Sequence, residues 1–485
     1  MLLRKNKNDF LSRTDEETIK GCLFGFFIGD ALGVPVEFMG RNSLKQNKIT
    51  DMEEFGTHNQ PKGTWSDDSS MVLATMDGLL KSQKSNINYQ IIMYNFLQWK
   101  LKAEFTPFNH VFDIGISTSS ALSIYQQHVI NNHPEDIMCG SGEISSNGNG
   151  SLMRIIPISL YLYYLGIDYT NKIFMDTIKV ISSMTHSHIY SIFGCYIYSI
   201  YISELLKGNN KNKAYKNLQN NLQNILKKHP EYCDVKEIYG RIISNDISKL
   251  KEKNIKSSGY VVDSLEAAMW SVLTTNSFEE AVLKSVNLGD DTDTIGALTG
   301  GLAGIIYGYN SIPKKWINDL QKKSYLDRSV NSFVIYLKQL KNENKEEKME
   351  NHNIVEVERN DMIMNNKLDI KLLEDTIDDL KNNDEACTTY DGWTMGKSSI
   401  PESNPGEQLK KFINYCYENK LLDQNYVENY EKIGNKKIEE FTYQEVLTGL
   451  TKIIRDDRFV SGELYNCVKY GSMLNLIERL YNLVK

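Results

Sequence analysis

Residues 65–74, WSDDSSMVLA, and residues 289–298, GDDTDTIGAL, decide how this chain is read. In each, carboxylates and hydroxyls crowd together directly ahead of an apolar run, Met71-Val72-Leu73-Ala74 in one and Ile295-Gly296-Ala297-Leu298 in the other. Ser, Thr and Asp favour helix starts because their side-chain oxygens accept the free N–H groups of the first turn and their charge suits the helix dipole. Both stretches therefore predict helix N-termini. Capping accounts for one such oxygen per helix. Three or four adjacent acidic and hydroxyl groups repel one another and keep spare lone pairs, so the excess calls for a cation. Hard divalent ions such as Mg²⁺ and Mn²⁺ take carboxylate, hydroxyl and water oxygens. If the two helix starts converge, Ser66, Asp67 and Asp68 with Asp291, Asp293 and Thr294 supply enough oxygens for two ions. The lack of a clustered His/Cys set argues against zinc.

Working outward, residues 15–340 alternate amphipathic helical patterns with short polar turns, and runs of alternating apolar and polar residues are scarce. That pattern predicts an all-α fold. Gly21, Gly25 and Gly29 recur every four residues and form a smooth stripe on one helix face. Each costs roughly 1 kcal/mol of helix stability against alanine, so the stripe implies close approach of another element. Asp30 and Glu37 follow it as lining for a cleft. Residues 341–366 are charged and Asn-rich and read as a solvated linker. Residues 367–485 regain helical periodicity, with Leu447, Leu450, Ile453 and Ile454 on one face, and read as a second, smaller, mainly helical domain. There, Arg455, Asp456, Asp457 and Arg458 read as a mixed-charge helix end making surface ion pairs. Trp393 and Phe459 read as core of that domain or as part of an acceptor-recognition surface.

A net charge of -7 offers no basic footprint for nucleic acid or an anionic membrane. Seven cysteines with no C-x-x-C pair indicate neither a disulfide framework nor a zinc ribbon, which predicts a reducing, cytoplasmic setting. The N-terminus is polar and lacks the apolar core of a signal peptide. The most apolar stretch, Ile192–Leu206, is interrupted by Gly194, Ser199, Ser203 and Glu204 and reads as too short and too polar to span a bilayer. No membrane segment is expected.

Seven blocks in order, GDALGVPVE from Gly29, WSDDSS from Trp65, FDIGIST from Phe112, NGNGSLMRIIP from Asn147, Thr185-His186, SGYVVDSLEAAMW from Ser258 and NLGDDTDTIGALTGG from Asn287, resemble the ADP-ribosyl-glycohydrolases over about residues 17–325. The resemblance includes both the dinitrogenase-reductase-activating and the ADP-ribosylarginine hydrolase types. It implies an all-α bundle with two Mg²⁺ or Mn²⁺ ions at the base of an ADP-ribose cleft, held by Ser66, Asp67, Asp68, Asp291, Asp293 and Thr294. Ser66 stands where threonine is usual, and Asp290 where glycine is common. By the same resemblance the metals engage the hydroxyls of the distal ribose, and a carboxylate, Glu37 or Asp113, assists water attack at the anomeric carbon. Glycosidic cleavage passes through an oxocarbenium-like state that needs fixed negative charge and a base, which agrees. Asp113 is the expected base if the linkage is to arginine, Glu37 if it is to serine.

The Gly148-Asn149-Gly150-Ser151 loop, ahead of an apolar helix, reads as an N–H-rich turn able to approach a diphosphate. The resemblance further implies that His186 helps hold ADP-ribose and that Tyr260 offers an aromatic face to adenine. The expected function is metal-dependent hydrolysis of the bond between ADP-ribose and arginine on a protein. Alternatives are the same chemistry on serine, a nucleic-acid base or a small molecule, or a non-catalytic ADP-ribose-binding protein. The C-terminal segment resembles a small helical domain of no known activity.

Overall fold

The computed structural model describes residues 13–83, 86–228, 232–364, 369–395, 398–434, 436–456 and 463–485. The chain separates into two compact units, Met1–Asn344 and Lys345–Lys485. The first is all-α. The helices that build its site are α1 (Asp15–Gly33), α2 (Asp67–Leu80), α3 (Tyr89–Lys102), α4 (Ile116–Ile130), α5 (Ile156–Tyr164), α6 (Ile189–Leu206), α7 (Val261–Leu273) and α8 (Thr292–Tyr307).

The glycine stripe of α1 has a counterpart on α8. A Cβ at Gly21, Gly25 or Gly29 would run into the carbonyl of Gly304, Gly300 or Gly296 respectively, and each of those three glycines meets the α1 partner's carbonyl in return. The two backbones thus touch along their length, which only glycine on both sides permits. The seam ends where Thr292 donates its hydroxyl to the Gly33 carbonyl at 2.8 Å. Close packing of α1 on α8 therefore delivers the start of α8 to the end of α1, beside Asp30.

Two helices are long and apolar enough to cross a membrane by length and composition, the Asp15–Val36 stretch and Ile189–Leu206. The second corrects the expectation that this stretch is too short and too polar. Both are packed inside the unit: Phe26, Phe27, Ile197, Ile200 and Tyr201 are fully buried. A helix that is apolar all round is what the centre of a multi-helix core requires. The polar breaks are absorbed internally, as where Ser199 donates to the Cys195 carbonyl at 2.7 Å.

Residues 341–364, read as a solvated linker, continue α9 (Lys323–Met364), and positions 365 and 366 lie outside the described residues. The stretch holds neither Gly nor Pro, and its Lys and Glu are good helix formers, so nothing in it stops a helix already started. The second unit is mainly helical, with an antiparallel hairpin of β1 (Cys387–Met395) and β2 (Ser398–Pro405) paired Cys387↔Pro405 and Thr389↔Ser403. The hairpin departs from the helical expectation where Thr388, Thr389, Tyr390, Trp393 and Thr394 concentrate β-forming side chains. Leu450, Met473 and Ile477 centre this unit's core. Arg455 and Asp456 lie at a helix end, where Lys452 pairs with Asp456. Asp457, Arg458 and Phe459, and the side chain of Trp393, lie outside the described residues.

Candidate active site

The two acidic stretches do start helices, and most of their oxygens are not consumed by capping. At α2 the Ser66 hydroxyl accepts the Asp68 N–H at 3.2 Å. Asp30, fully buried, does the rest: it accepts the Ser66 N–H at 2.9 Å, the Ser69 N–H at 3.0 Å and the Ser69 hydroxyl at 2.5 Å. Asp30 is thus a cap supplied by another helix rather than cleft lining. At α8 the N-cap Asp291 makes no capping bond with its side chain. It accepts the Asn149 amide at 2.7 Å instead. Asp293 takes the Thr294 N–H on Oδ1 at 2.8 Å.

The helix starts meet. Thr294 Oγ1 lies 3.2 Å from Asp68 Oδ1. Ligand oxygens of Asp30, Asp68 and Asp293 lie within 4.8 Å of one another, as do those of Glu37, Asp291 and Asp293, and those of Asp67, Asp113 and Asp293. Asp293 is common to these three groups, and a fourth brings together Glu37, His58 and Asp113. Among the described residues, Asp68 Oδ2 and Asp293 Oδ2 are buried with no hydrogen-bond partner. An unpaired buried carboxylate oxygen is costly, and two beside each other fit a cation whose ligands they would be.

The electrostatics agree. Burial first, and the neighbouring carboxylates second, hold Asp67, Asp68 and Asp293 well above the ordinary carboxylate range. Burial lifts Asp30 and Asp291 to about 6. Glu37 is pushed up to about 11 by burial and then by Asp113. So many carboxyls cannot share one buried site ionised without positive charge among them.

A cavity of about 380 Å³ opens over this cluster, and Glu37, Asp67, Asp113, Asn149, Gly150, His186, Asp291 and Thr294 all line it. Asp113 sits in the left-handed region at φ 55, in the loop ahead of α4. Ser66, Asp68 and Asp293 are buried behind the lining. Two expected residues are not part of it. Ser151 is fully buried and accepts from Ser182 at 3.0 Å and from the Cys195 thiol at 3.4 Å. Tyr260 caps α7, in the segment that bridges to Gly148, outside the cavity lining.

The loop itself differs from the expected turn into a helix. A turn over residues 151–154 intervenes before α5, and the Asn149 N–H is taken by the Gly259 carbonyl at 3.0 Å. Asn149 braces Asp291 rather than offering its amide outward. Gly150 is required by space, since a Cβ there would stand 2.8 Å from both the His186 ring and the Thr118 hydroxyl. His186 is buried and bonded through Nδ1 to the Thr185 hydroxyl at 2.8 Å. Burial and the nearby Arg154 charge hold it at about 3, hence neutral. Asp290 has φ 62, which explains why glycine suits this position. Its exposed carboxylate takes the Ser257 hydroxyl at 3.1 Å, so its extra charge is spent outside the cavity.

Sequence reasoning missed His58, whose Nε2 lies 2.5 Å from Glu37 Oε2 and whose ring packs on Phe112 at 5.2 Å and Phe38 at 5.8 Å. It comes from a loop with no periodicity and no spacing to betray it. Thr118 stands inside a quoted block but carried no signal of its own. Arg154 likewise stands inside a quoted block, the one starting at Asn147, without a signal of its own.

Residues 11–346 match the family described as ADP-ribosylglycohydrolase, and residues 365–485 match a family of unknown function, DUF6508. The chain is 32% identical over 301 residues to the ADP-ribosylarginine hydrolase of Serratia proteamaculans, covering 62% of this chain and 74% of that protein. It is 25% identical over 312 residues to the ADP-ribosyl-dinitrogen reductase glycohydrolase of Rhodospirillum rubrum, covering 62% of this chain and 90% of that one. A solved ADP-ribosylglycohydrolase-related protein complex superposes with a TM-score of 0.52 at 24% identity, covering 67% of this chain and 99% of that chain, a likeness of fold. With its all-α first unit matched nearly end to end, this chain belongs to the ADP-ribosylglycohydrolase family of enzymes.

Proposed function

We propose that this protein is a divalent-metal-dependent hydrolase that releases ADP-ribose from arginine side chains of modified proteins. The observation that carries the metal is the pair of partnerless buried oxygens on Asp68 and Asp293. Asp67, Asp68, Asp291, Asp293, Thr294 and Ser66 are the residues that would hold two ions, Mg²⁺ or Mn²⁺, with Ser66 the member already engaged as a cap. When bound, such ions neutralise the carboxylates and hold the hydroxyls of the distal ribose. The arginine acceptor is supported by two relatives, from Serratia proteamaculans and Pseudomonas putida, each named an ADP-ribosylarginine hydrolase.

Asp113 is the base in this reading. Asp113 and Glu37 both line the cavity within 4.8 Å of Asp293, and the preference for Asp113 rests on Glu37 being engaged by His58 at 2.5 Å. Water's oxygen bonds to the anomeric carbon, the carbon–nitrogen pair leaves with the guanidine, and water's proton passes to Asp113, which returns it to the departing nitrogen. His186, neutral and buried, packs the Gly150 loop against the cavity. A cytoplasmic setting belongs to the same proposal, supported by seven cysteines without paired spacing.

The test is release of ADP-ribose by the full chain from ADP-ribosylated arginine, serine and DNA, with Mg²⁺, Mn²⁺ or EDTA. Release from the arginine substrate alone, abolished by EDTA, is expected. Release from none of them removes the proposal, and release from serine alone replaces the acceptor.

A further inference from the structure

Phe38 is a large apolar side chain that stays 66% exposed while lining the cavity. Its backbone sits in the left-handed region at φ 62, which is unfavourable for a bulky residue and persists only where the surroundings impose it. They do so here. The Phe38 N–H donates to the Asp290 carbonyl at 2.6 Å, while Thr57 donates its N–H to the Pro35 carbonyl at 2.8 Å and its hydroxyl to the Glu37 carbonyl at 2.6 Å. The segment is braced from two sides, and the brace turns an aromatic ring out to solvent at the cavity. An exposed ring held this firmly is a face for a ligand rather than part of a core.

Its companions give the chemistry of that ligand. Glu37 and Asp113 are each adjacent in sequence to an aromatic residue, Phe38 and Phe112, and both rings pack on His58, at 5.8 and 5.2 Å. Side-chain oxygen and nitrogen atoms of Glu37, His58 and Asp113 lie within 4.8 Å of one another, so two carboxylates and an aromatic face meet at one part of the cavity. A planar cation with several N–H donors satisfies both kinds of group, because its edge donates to carboxylates while its face lies on a ring. The guanidinium of an arginine acceptor is such a cation. Its departing nitrogen exchanges a proton with Asp113 in the reading above, and its other nitrogens are bonded to the same carbon, which brings them within reach of Glu37.

We propose that Phe38 and Glu37 form the acceptor subsite: Phe38 stacks on the arginine guanidinium, Glu37 accepts from its edge, and His58 is a positioning residue that fixes the Glu37 carboxylate at 2.5 Å and spaces the two rings. This rests on the arginine reading above and adds the residues that would select a guanidinium over an uncharged serine linkage. Neither Phe38 nor His58 touches the reacting carbon, so loss of either should weaken the hold on the acceptor and spare the ADP-ribose moiety.

The test measures kcat and KM of the full chain on ADP-ribosylated arginine, with inhibition by agmatine, which carries a free guanidinium, and by ADP-ribose, in wild type, F38L, F38Y and H58L. Phe38 is exposed, so its variants leave the core untouched, and H58L keeps the bulk between the rings while removing the nitrogen. F38L and H58L are expected to raise KM and the agmatine inhibition constant about threefold or more, with kcat within about threefold and the ADP-ribose inhibition constant within about twofold of wild type. F38Y, which keeps a ring face, should match wild type. If H58L does not fold, F38L and F38Y decide alone. A wild-type enzyme that agmatine does not inhibit, an unmoved KM or agmatine constant in F38L or in folded H58L, or ADP-ribose weakened as much as agmatine, overturns the proposal. A wild-type protein inert toward ADP-ribosylated arginine would instead overturn the functional reading.

Discussion

Thr294 donates its hydroxyl to Asp68 at 3.2 Å across 226 positions of chain. That bond links the starts of two helices that α1 already brings together, its glycine seam seating α8 and its Asp30 capping α2. Among the described residues, Asp68 Oδ2 and Asp293 Oδ2 have no hydrogen-bond partner. The donors at α2 go to Asp30, and Asn149 goes to Asp291. The arrangement keeps carboxylate oxygens bare in the interior, which destabilises the protein alone and suits it to hold cations.

Replacing Asp68 or Asp293 with Asn should therefore act in opposite directions on activity and on metal-free stability. Loss of a ligand is expected to reduce turnover by about 100-fold or more, equivalent to about 3 kcal/mol. In EDTA the same change removes a buried like charge and should stabilise the fold by about 1–2 kcal/mol. Turnover assays beside thermal melts check both. Wild-type turnover in either variant ends the ligand assignment.

The pH dependence of the metal-free protein follows from the raised carboxyls. A carboxyl whose folded pKa exceeds its unfolded value contributes stability below the unfolded value and loses it as pH rises through the folded one. Asp30 and Asp291 rise to about 6 and Glu37 to about 11. In EDTA the melting temperature is expected to fall as pH climbs from about 4 through 6 and beyond. Mg²⁺ or Mn²⁺ should flatten that fall and release protons on binding, which calorimetry in buffers of different ionisation enthalpy measures. A melting temperature that rises over this range in EDTA would contradict the charge assignment.

The α1–α8 seam has no room for a methyl group. Gly29→Ala places its Cβ against the Gly296 carbonyl, a backbone atom that cannot rotate away. About 3 kcal/mol or more of stability should be lost, and the Asp293 end of α8 should shift with it. Gly40→Ala is the control, since a Cβ there meets nothing within 4 Å. Equal melting temperatures for the two variants would show that the seam is looser than described.

Assigning the base to Asp113 separates it from Glu37 kinetically. Asp113→Asn should lower kcat on the arginine substrate by about 100-fold with KM little changed. Glu37→Gln should cost less than about tenfold there, since a general base contributes 10²–10⁴ and Glu37 is held by His58. The reverse order of losses would transfer the role to Glu37.

Local pattern alone established several things about this protein. Helical periodicity and the Ser/Asp/Thr clusters located the starts of α2 and α8, and the four-residue glycine spacing required a close neighbour for α1. These are properties of residues within a few turns of one another, and the chain carries them whether folded or not. The tertiary structure decided which neighbour it was, namely α8 through Gly296, Gly300 and Gly304. It also decided that Asp30 caps α2, that Asn149 braces Asp291, and that His58 and Arg154 stand beside the cavity. Those relationships join segments separated by loops of no fixed length, and their energy comes from burial and charge that exist only once the segments have packed. The continuation of α9 through residues 341–364 went unread for a related reason. Charged, Asn-rich composition describes solvation, whereas a helix persists wherever no Gly or Pro interrupts it.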